Sequence, residues 1–549
     1  MRAHAAGVSH PPSLRNAPTL LGTAPTNTQG YSRAVPTALL GVNLDSRPLT
    51  LLEVRAVADG SPAQLMPAAR ARMQAAREAM LAKVAVGGAF YGINTGFGSF
   101  AHVRLGAEQL RQLQTNLIRS HASGVGDLLS TECVRATMLV LAASLARGHS
   151  GVRPEVVERI VALLNAGITP CIPSRGSVGA SGDLAPLAHL ALALLGEGDV
   201  QVRGATLHAR SALHAAGVAP LQLEAKEGLA LINGTHMMAG IGALVAHDAL
   251  QLMHAAVCAN AMAIDACRAS VAPLDERIHA ARNQLGQSRI AAALSSLLDG
   301  SAIGPSHASD DPRVQDPYSL RASPQVLGAV LDAVLHATGV IEAELGAVTD
   351  NPLVFTEGSE CAILSGANFH GMPLAISLDV LRIALCHLAG IAERRIYWAL
   401  SGHDRESRLP PHLAADGGLQ SGFMVVQYAA AACCNELRTL AYPSSVGNIS
   451  TCAGIEDYNS MGATSALHAA DALRLARNVV ACELLVMGQS LEHQRPLTSG
   501  RGVERAHAIM RECTAPLTAD RPPASDIATI SARIAAGAFR VPMLDFSGV

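Results

Sequence analysis

Apolar residues recur along this chain with the spacing of helices rather than strands. Leu327, Leu331 and Leu335 repeat every four residues beside Val326, Val330 and Val334, while Leu378, Leu381, Leu385 and Leu388 follow a three-four spacing. Both rows gather apolar side chains on one helical face, the pattern of a packed bundle. From Ala463 to Met487 the only formal charges are Asp471, Arg474, Arg477 and Glu483. A helix that apolar on most sides belongs at the centre of a bundle rather than on its surface. Ala68 to Ala82 also has helical composition. Between such segments lie Tyr91–Phe100, too glycine-rich for an element interior, and two further stretches, Ile172–Gly182 and Ser301–Pro317, all predicted as loops.

Regularity sets in near Leu49, and no repeat of fixed period interrupts it. These elements predict an all-α fold, a large bundle of long antiparallel helices. An N-terminal, loop-containing helical portion is expected over 45–265, and a central long-helix bundle with C-terminal helices over 266–549. Residues 1–44 hold no Asp or Glu, carry Arg2, Arg15 and Arg33, and are rich in Ser, Thr, Pro and Ala. A transit peptide can look like this, but no amphipathic stripe is evident, and the segment reads as a disordered extension.

Composition narrows the class. Hydrophobic residues make up 49% and charged residues 15% of the 549, enough to bury large cores and subunit contacts. Aromatics are only 3%, so packing must rest on Ala, Leu and Val, which suits close-packed helices. A net charge of −3 gives no electrostatic footprint for nucleic acid or an anionic membrane, leaving a small molecule as the expected partner. The apolar run around Leu184–Leu195 is broken by Pro186 and His189, and no membrane span is expected. The 11 cysteines include no C-x-x-C pair, so reduced thiols in a cytoplasm are expected and a metal site is not.

The sharpest feature is the octapeptide Gly176-Ser-Val-Gly-Ala-Ser-Gly-Asp183. Glycines three apart can mark a phosphate-cradling loop, but a Walker loop needs Gly-Lys-Ser/Thr and a dinucleotide loop needs a preceding strand, whereas Pro170 and Pro173 precede this one. Ala180-Ser181-Gly182 permits backbone chemistry instead. If a strained loop presses the Gly182 nitrogen onto the Ala180 carbonyl, a five-membered ring closes, and loss of water from Ser181 leaves an exocyclic methylidene. Glycine allows the close approach, and serine carries the hydroxyl that leaves.

The wider segment GSVGASGDLAPLAHLALALLGEG resembles the cofactor segment of the aromatic amino acid ammonia-lyases, the histidine, phenylalanine and tyrosine enzymes. Further stretches resemble the family in order: YGINTGFG at Tyr91, KEGLALINGT at Lys226, VQDPYSLR at Val314, DNPLVF at Asp350, GANFHG at Gly366 and SGFMVVQ at Ser421. Together they span roughly residues 45 to 500. The resemblance implies a methylidene-imidazolone (MIO) electrophile formed from Ala180, Ser181 and Gly182, with no external cofactor, in a homotetramer whose sites are shared between subunits.

Roles follow from the resemblance residue by residue. Eliminating ammonia requires a base for a poorly acidic β-proton, an electrophile for the amine and a clamp for the carboxylate. Tyr91 would be the base, and the group at Ser181 the electrophile. Arg321 would hold the carboxylate in a two-pronged hydrogen bond, for which a guanidinium is suited. Asn233, in the Asn-Gly-Thr turn, would hydrogen-bond the MIO oxygen, although by itself an asparagine before glycine is a good turn former. Tyr318, Gln315 and Phe369 sit in matching motifs and would line the site.

Substrate choice rests on fewer positions. Where phenylalanine lyases tend to carry Phe-Leu and tyrosine lyases His-Leu, this chain has Ser120-His121, the histidine-lyase form. Glu456 in GIEDYNSM stands where the other two enzymes have glutamine, and a carboxylate there can pair with an imidazolium or steer its tautomer. Both positions point to L-histidine. His236, Ile455 and Ala322-Ser323 depart from the histidine-lyase pattern, leaving room for a histidine derivative or a 2,3-aminomutase on the same scaffold.

Overall fold

The computed structural model describes residues 41–546 except 89, 91, 95–106, 310 and 359. Five long helices carry the fold: His236–Ala266, Ser323–Leu345, Met372–Ser401, Met424–Leu440 and Gly462–Glu492. Gly462–Glu492 packs against Met372–Ser401, His236–Ala266 and Met424–Leu440, and Ser323–Leu345 lies against the first two of these. Its stretch from Val479 to Leu491 is buried on every side, as its apolar composition predicts.

The Ser323–Leu345 helix shows how the periodic rows resolve. Leu327, Val330, Leu331, Val334, Ala337 and Ile341 are buried, while Val326 and Leu335 are only partly covered. A row of fours drifts around a helix of 3.6 residues per turn, so its ends leave the buried face. Among the described residues, three helices (His236–Ala266, Ser323–Leu345 and Met372–Ser401) are, by length and composition, long and apolar enough to cross a membrane. In this fold the most apolar window of the first is 83% buried inside the bundle. The third bears Arg395, fully buried and paired with Glu483 on the central helix.

The smaller N-terminal elements present loops to this bundle. Helix Thr131–Ala146 packs along His236–Ala266, and helix Leu184–Leu194 follows the octapeptide. A three-stranded antiparallel sheet joins Ile168–Pro170, Asp199–Val202 and Ala205–His208. Three expectations need adjustment. Residues 42–44, assigned to the extension, form strand Val42–Leu44 paired in parallel with Ala63–Leu65. The predicted loop Ile172–Gly182 begins with strand Pro173–Arg175, antiparallel to Val125–Leu128, so a short strand does precede the octapeptide despite Pro170 and Pro173. The loop Ser301–Pro317 contains a 3-10 turn, Gly304–Ser306. The described residues belong to one compact unit, and position 265 falls within the last turn of the His236–Ala266 helix. All eleven cysteines are free.

Candidate active site

Ser177 draws the octapeptide into a closed loop. Its hydroxyl shares a proton between the Gly182 carbonyl (3.2 Å) and Asp183 Oδ1 (3.0 Å), and accepts from the Gly179 amide. The loop is then pinned from two sides. On one, Gly182 bridges Gly234: the Gly234 amide donates to the Ser181 carbonyl at 3.2 Å, and the Asp183 amide donates to the Gly234 carbonyl at 2.8 Å. Gly182 has φ +75°, and a Cβ there would fall 2.1 Å from the Gly234 oxygen, so only glycine fits. On the other side, the Met461 amide donates to the Val178 carbonyl and Ser460 Oγ donates to the Gly179 carbonyl at 3.1 Å.

Asp183 locks this assembly to the bundle. Fully buried, it accepts from the Met237 and Met238 amides at 2.9 and 3.0 Å, capping the first turn of the His236–Ala266 helix. Burial pushes its pKa from 3.8 up to about 6, against the lowering effect of those hydrogen bonds. The folded value lies above the unfolded one, so the native state holds the extra proton. Its contribution to stability is full below about pH 3.8 and is lost as pH rises through about 6. Asp183→Asn, with no such proton to lose, is expected to flatten that part of the stability curve. Thermal melts across this pH window check it, and an unchanged slope would count against it.

Ser181 faces a carboxylate. Its Oγ donates to Glu456 Oε1 at 3.1 Å, while Thr451 Oγ1 donates to Glu456 Oε2 at 2.7 Å. His121 shares this neighbourhood. Burial lowers its pKa, opposed by a backbone contact to Leu117 and by the Glu456 charge. Ser120 is exposed, its Oγ donating to the Leu117 carbonyl and lying 3.0 Å from His121 Nδ1. The chain therefore brings Ala180, Ser181, Gly182 and Glu456 together with the Asn233–Thr235 turn, with His121 within reach of the Glu456 charge.

Asn233 sits in that turn, 3% exposed, but with its donors committed elsewhere. Its Nδ2 donates to Asp350 Oδ1 at 3.3 Å and to the Asn351 carbonyl at 3.2 Å. The amide protons expected to reach a ring oxygen thus face the 350–351 turn, because two acceptors there fix the amide's orientation. Asp350 is held in turn by Lys226, whose Nζ lies 2.5 Å from Oδ2 with both groups buried.

The remaining site residues form other groupings. Gln315, Tyr318 and Arg321 line a cavity of about 1050 Å³ whose lining includes none of Ala180, Ser181, Gly182, Asn233 or Glu456. Arg321 lies over the Tyr318 ring at 4.7 Å, and its Nε is buried without a hydrogen-bond partner. Phe369 is half-buried, next to His370, whose Nε2 donates to the Tyr458 carbonyl at 2.9 Å. Tyr91 lies outside the described residues; its neighbour Phe90 packs against a small apolar cluster of Met80, Ile93 and Val354.

The three departures differ in place. His236 is buried against Gly234, with Nδ1 unpartnered and its pKa pushed down to about 4 by burial. Ile455 is 70% exposed. Ser323 is fully buried and donates to Asn260 and to the Ser319 carbonyl, which makes it part of the helix packing. Residue-by-residue reading gave no role to Asp183, Lys226, Asp350, Thr451 or Ser460. Four of the five lie inside motif strings, yet their partners are 54 to 281 positions away.

A family model described as aromatic amino acid lyase matches residues 49–512. The histidine ammonia-lyase of Sorangium cellulosum is 46% identical over 499 residues, covering 90% of this chain and 97% of that protein. Among solved structures, histidine ammonia-lyase from Trypanosoma cruzi is similar with a TM-score of 0.84 at 37% identity, covering 91% of this chain and 94% of that one. Tyrosine aminomutase from Streptomyces globisporus gives a TM-score of 0.84 at 36% identity, over 91% and 98% of the two chains. On a match spanning nearly the whole described fold, the chain belongs to the aromatic amino acid lyase family and is a carbon–nitrogen lyase.

Proposed function

We propose that this enzyme eliminates ammonia from L-histidine to give urocanate, with an MIO group built from Ala180, Ser181 and Gly182. The observation that carries the reading is the contact of Ser181 Oγ with Glu456, with His121 in the same neighbourhood. The residues suit the group. Gly182 has no room for a side chain, Ala180 is buried, and hydrogen bonds from three directions hold the loop. Once formed, the group supplies an electrophile for the substrate amine.

The chain's own side chains do the rest. Tyr91 takes the β-proton as general base. His121, kept neutral by burial, can accept or donate a hydrogen bond to an imidazole ring. Glu456 loses its Ser181 partner on maturation, which frees one carboxylate oxygen for that ring. Arg321 clamps the substrate carboxylate, with Tyr318 and Gln315 lining the same cavity and Phe369 contributed from elsewhere to the site wall. Because Arg321 lines a cavity apart from Ser181, the reading includes a homotetramer in which one subunit's Arg321 completes another's site. A cytoplasmic location fits the free cysteines.

Arg321→Lys is expected to lower kcat/KM about 10- to 100-fold, the worth of one charge-assisted hydrogen bond lost from a two-pronged pair. Steady-state kinetics check this, and an unchanged kcat/KM would remove Arg321 from the clamp. The likeness to the Streptomyces globisporus aminomutase favours a second reading, a 2,3-aminomutase that returns ammonia to the β-carbon. Incubating pure protein with aromatic amino acids and identifying the products separates them. An unsaturated acid plus free ammonia supports the lyase, and a β-amino acid supports the mutase.

A further inference from the structure

Thr451 has so far appeared only as a neighbour of Glu456, but its geometry is specific. Its hydroxyl accepts from Asn459 Nδ2 at 3.2 Å, and an amide NH2 can only donate, so the single hydroxyl proton is left for Glu456 Oε2, 2.7 Å away. Asn459 is itself 1% exposed and anchored, its Nδ2 donating to the Ile449 carbonyl and its backbone amide to Asn448 Oδ1 at 2.7 Å. Backbone contacts reinforce the pair. The Thr451 amide donates to the Glu456 carbonyl at 2.9 Å, and the two residues form an antiparallel bridge.

The turn between them is costly. Cys452, Ala453 and Gly454 all have positive φ, +50°, +54° and +85°. For the two non-glycine residues, the left-handed region is sterically unfavourable. Such a conformation persists only where its surroundings hold it, and here it brings Thr451 beside Glu456. The other Glu456 oxygen meets the Ser181 hydroxyl at 3.1 Å.

We infer that Thr451 is a positioning residue for maturation, holding the Glu456 carboxyl against the hydroxyl that Ser181 must lose. This rests on reading Ala180-Ser181-Gly182 as the precursor of the MIO group. In the dehydration, the Ser181 Cβ–O and Cα–H bonds break and a Cα–Cβ double bond forms. One water leaves, made of the departing hydroxide and one proton. Glu456 is within hydrogen-bond distance of that oxygen. It takes up the proton released from Cα and passes it to the departing hydroxyl, so the carboxyl is restored and the proton carried off in water is the one given up by Cα. A carboxyl free to rotate would serve this transfer less well, because proton transfer needs hydrogen-bond geometry.

The test follows maturation rather than turnover. Wild type, Thr451→Val, Thr451→Ser and Glu456→Gln are synthesised in a cell-free reaction, and intact mass is read at intervals for the two-water deficit. Thr451→Val keeps the shape and loses the hydroxyl, and its maturation is expected to slow about 10-fold, the low end for a positioned acid–base group. Glu456→Gln should slow at least as much, and Thr451→Ser should mature like wild type. A Thr451→Val protein that matures at the wild-type rate overturns the inference, as does equal slowing of the Ser and Val variants. A wild type that never shows the deficit overturns the underlying reading of the tripeptide instead.

Discussion

Ser181→Ala is expected to leave a folded protein with no measurable deamination. Enzymes commonly reach accelerations of about 10⁶-fold or more, and here the difficult step, expelling a poor leaving group, falls to an electrophile that alanine cannot become. The fold should survive. Ser181 contributes one side-chain hydrogen bond, to Glu456, whereas the loop is held by the Gly234, Ser460, Met461 and Ser177 contacts, which alanine leaves intact. Melting and turnover measured on the same preparation separate the two effects. Turnover near wild type in this variant would remove Ser181 from the chemistry.

The next largest effect is expected in substrate choice. Wild type should deaminate L-histidine in preference to phenylalanine or tyrosine by a factor that can reach about 10⁴, since polar partners left unsatisfied by a phenyl ring are rejected far more strongly than a misfit in size. His121→Leu removes one such partner and Glu456→Gln weakens the other. Each should lower histidine turnover and raise the relative rate on tyrosine or phenylalanine. The Glu456 charge acts on His121, so the double variant should depart from additivity. Ratios of kcat/KM across the three amino acids give the answer. A wild type that prefers phenylalanine would contradict the assignment and turn attention to His236, buried beside Gly234.

Much of the fold was legible because its signal is local. The rows from Leu327 and from Leu378 and the run from Ala463 each lie within a single helix, where a fixed period reports the buried face. The strand Pro173–Arg175 was not legible, since three residues that begin with a proline carry no period and pair with Val125–Leu128, far earlier in the chain. The site divides in the same way. Ala180-Ser181-Gly182 could be read because its chemistry is contained in three consecutive residues. Asp183 could not, because its meaning lies in the amides of Met237 and Met238, a relation created only when two helices meet.

Asn233 shows the limit from the other direction. Its place in the turn was legible, but the direction of its amide is set by Asp350 and Asn351, more than a hundred positions away. Gln315, Tyr318 and Arg321 could be read as a group from one motif. That the cavity they line does not include Ser181 is a three-dimensional fact that adjacency along the chain does not encode.

Conversion of Ala180, Ser181 and Gly182 into the electrophile is checked by intact mass of the purified wild-type protein, followed by peptide mapping across residues 176–198. A deficit of two waters is expected, confined to the peptide that contains Ser181 and absent from Ser181→Ala. A fully active protein of the full encoded mass would contradict it.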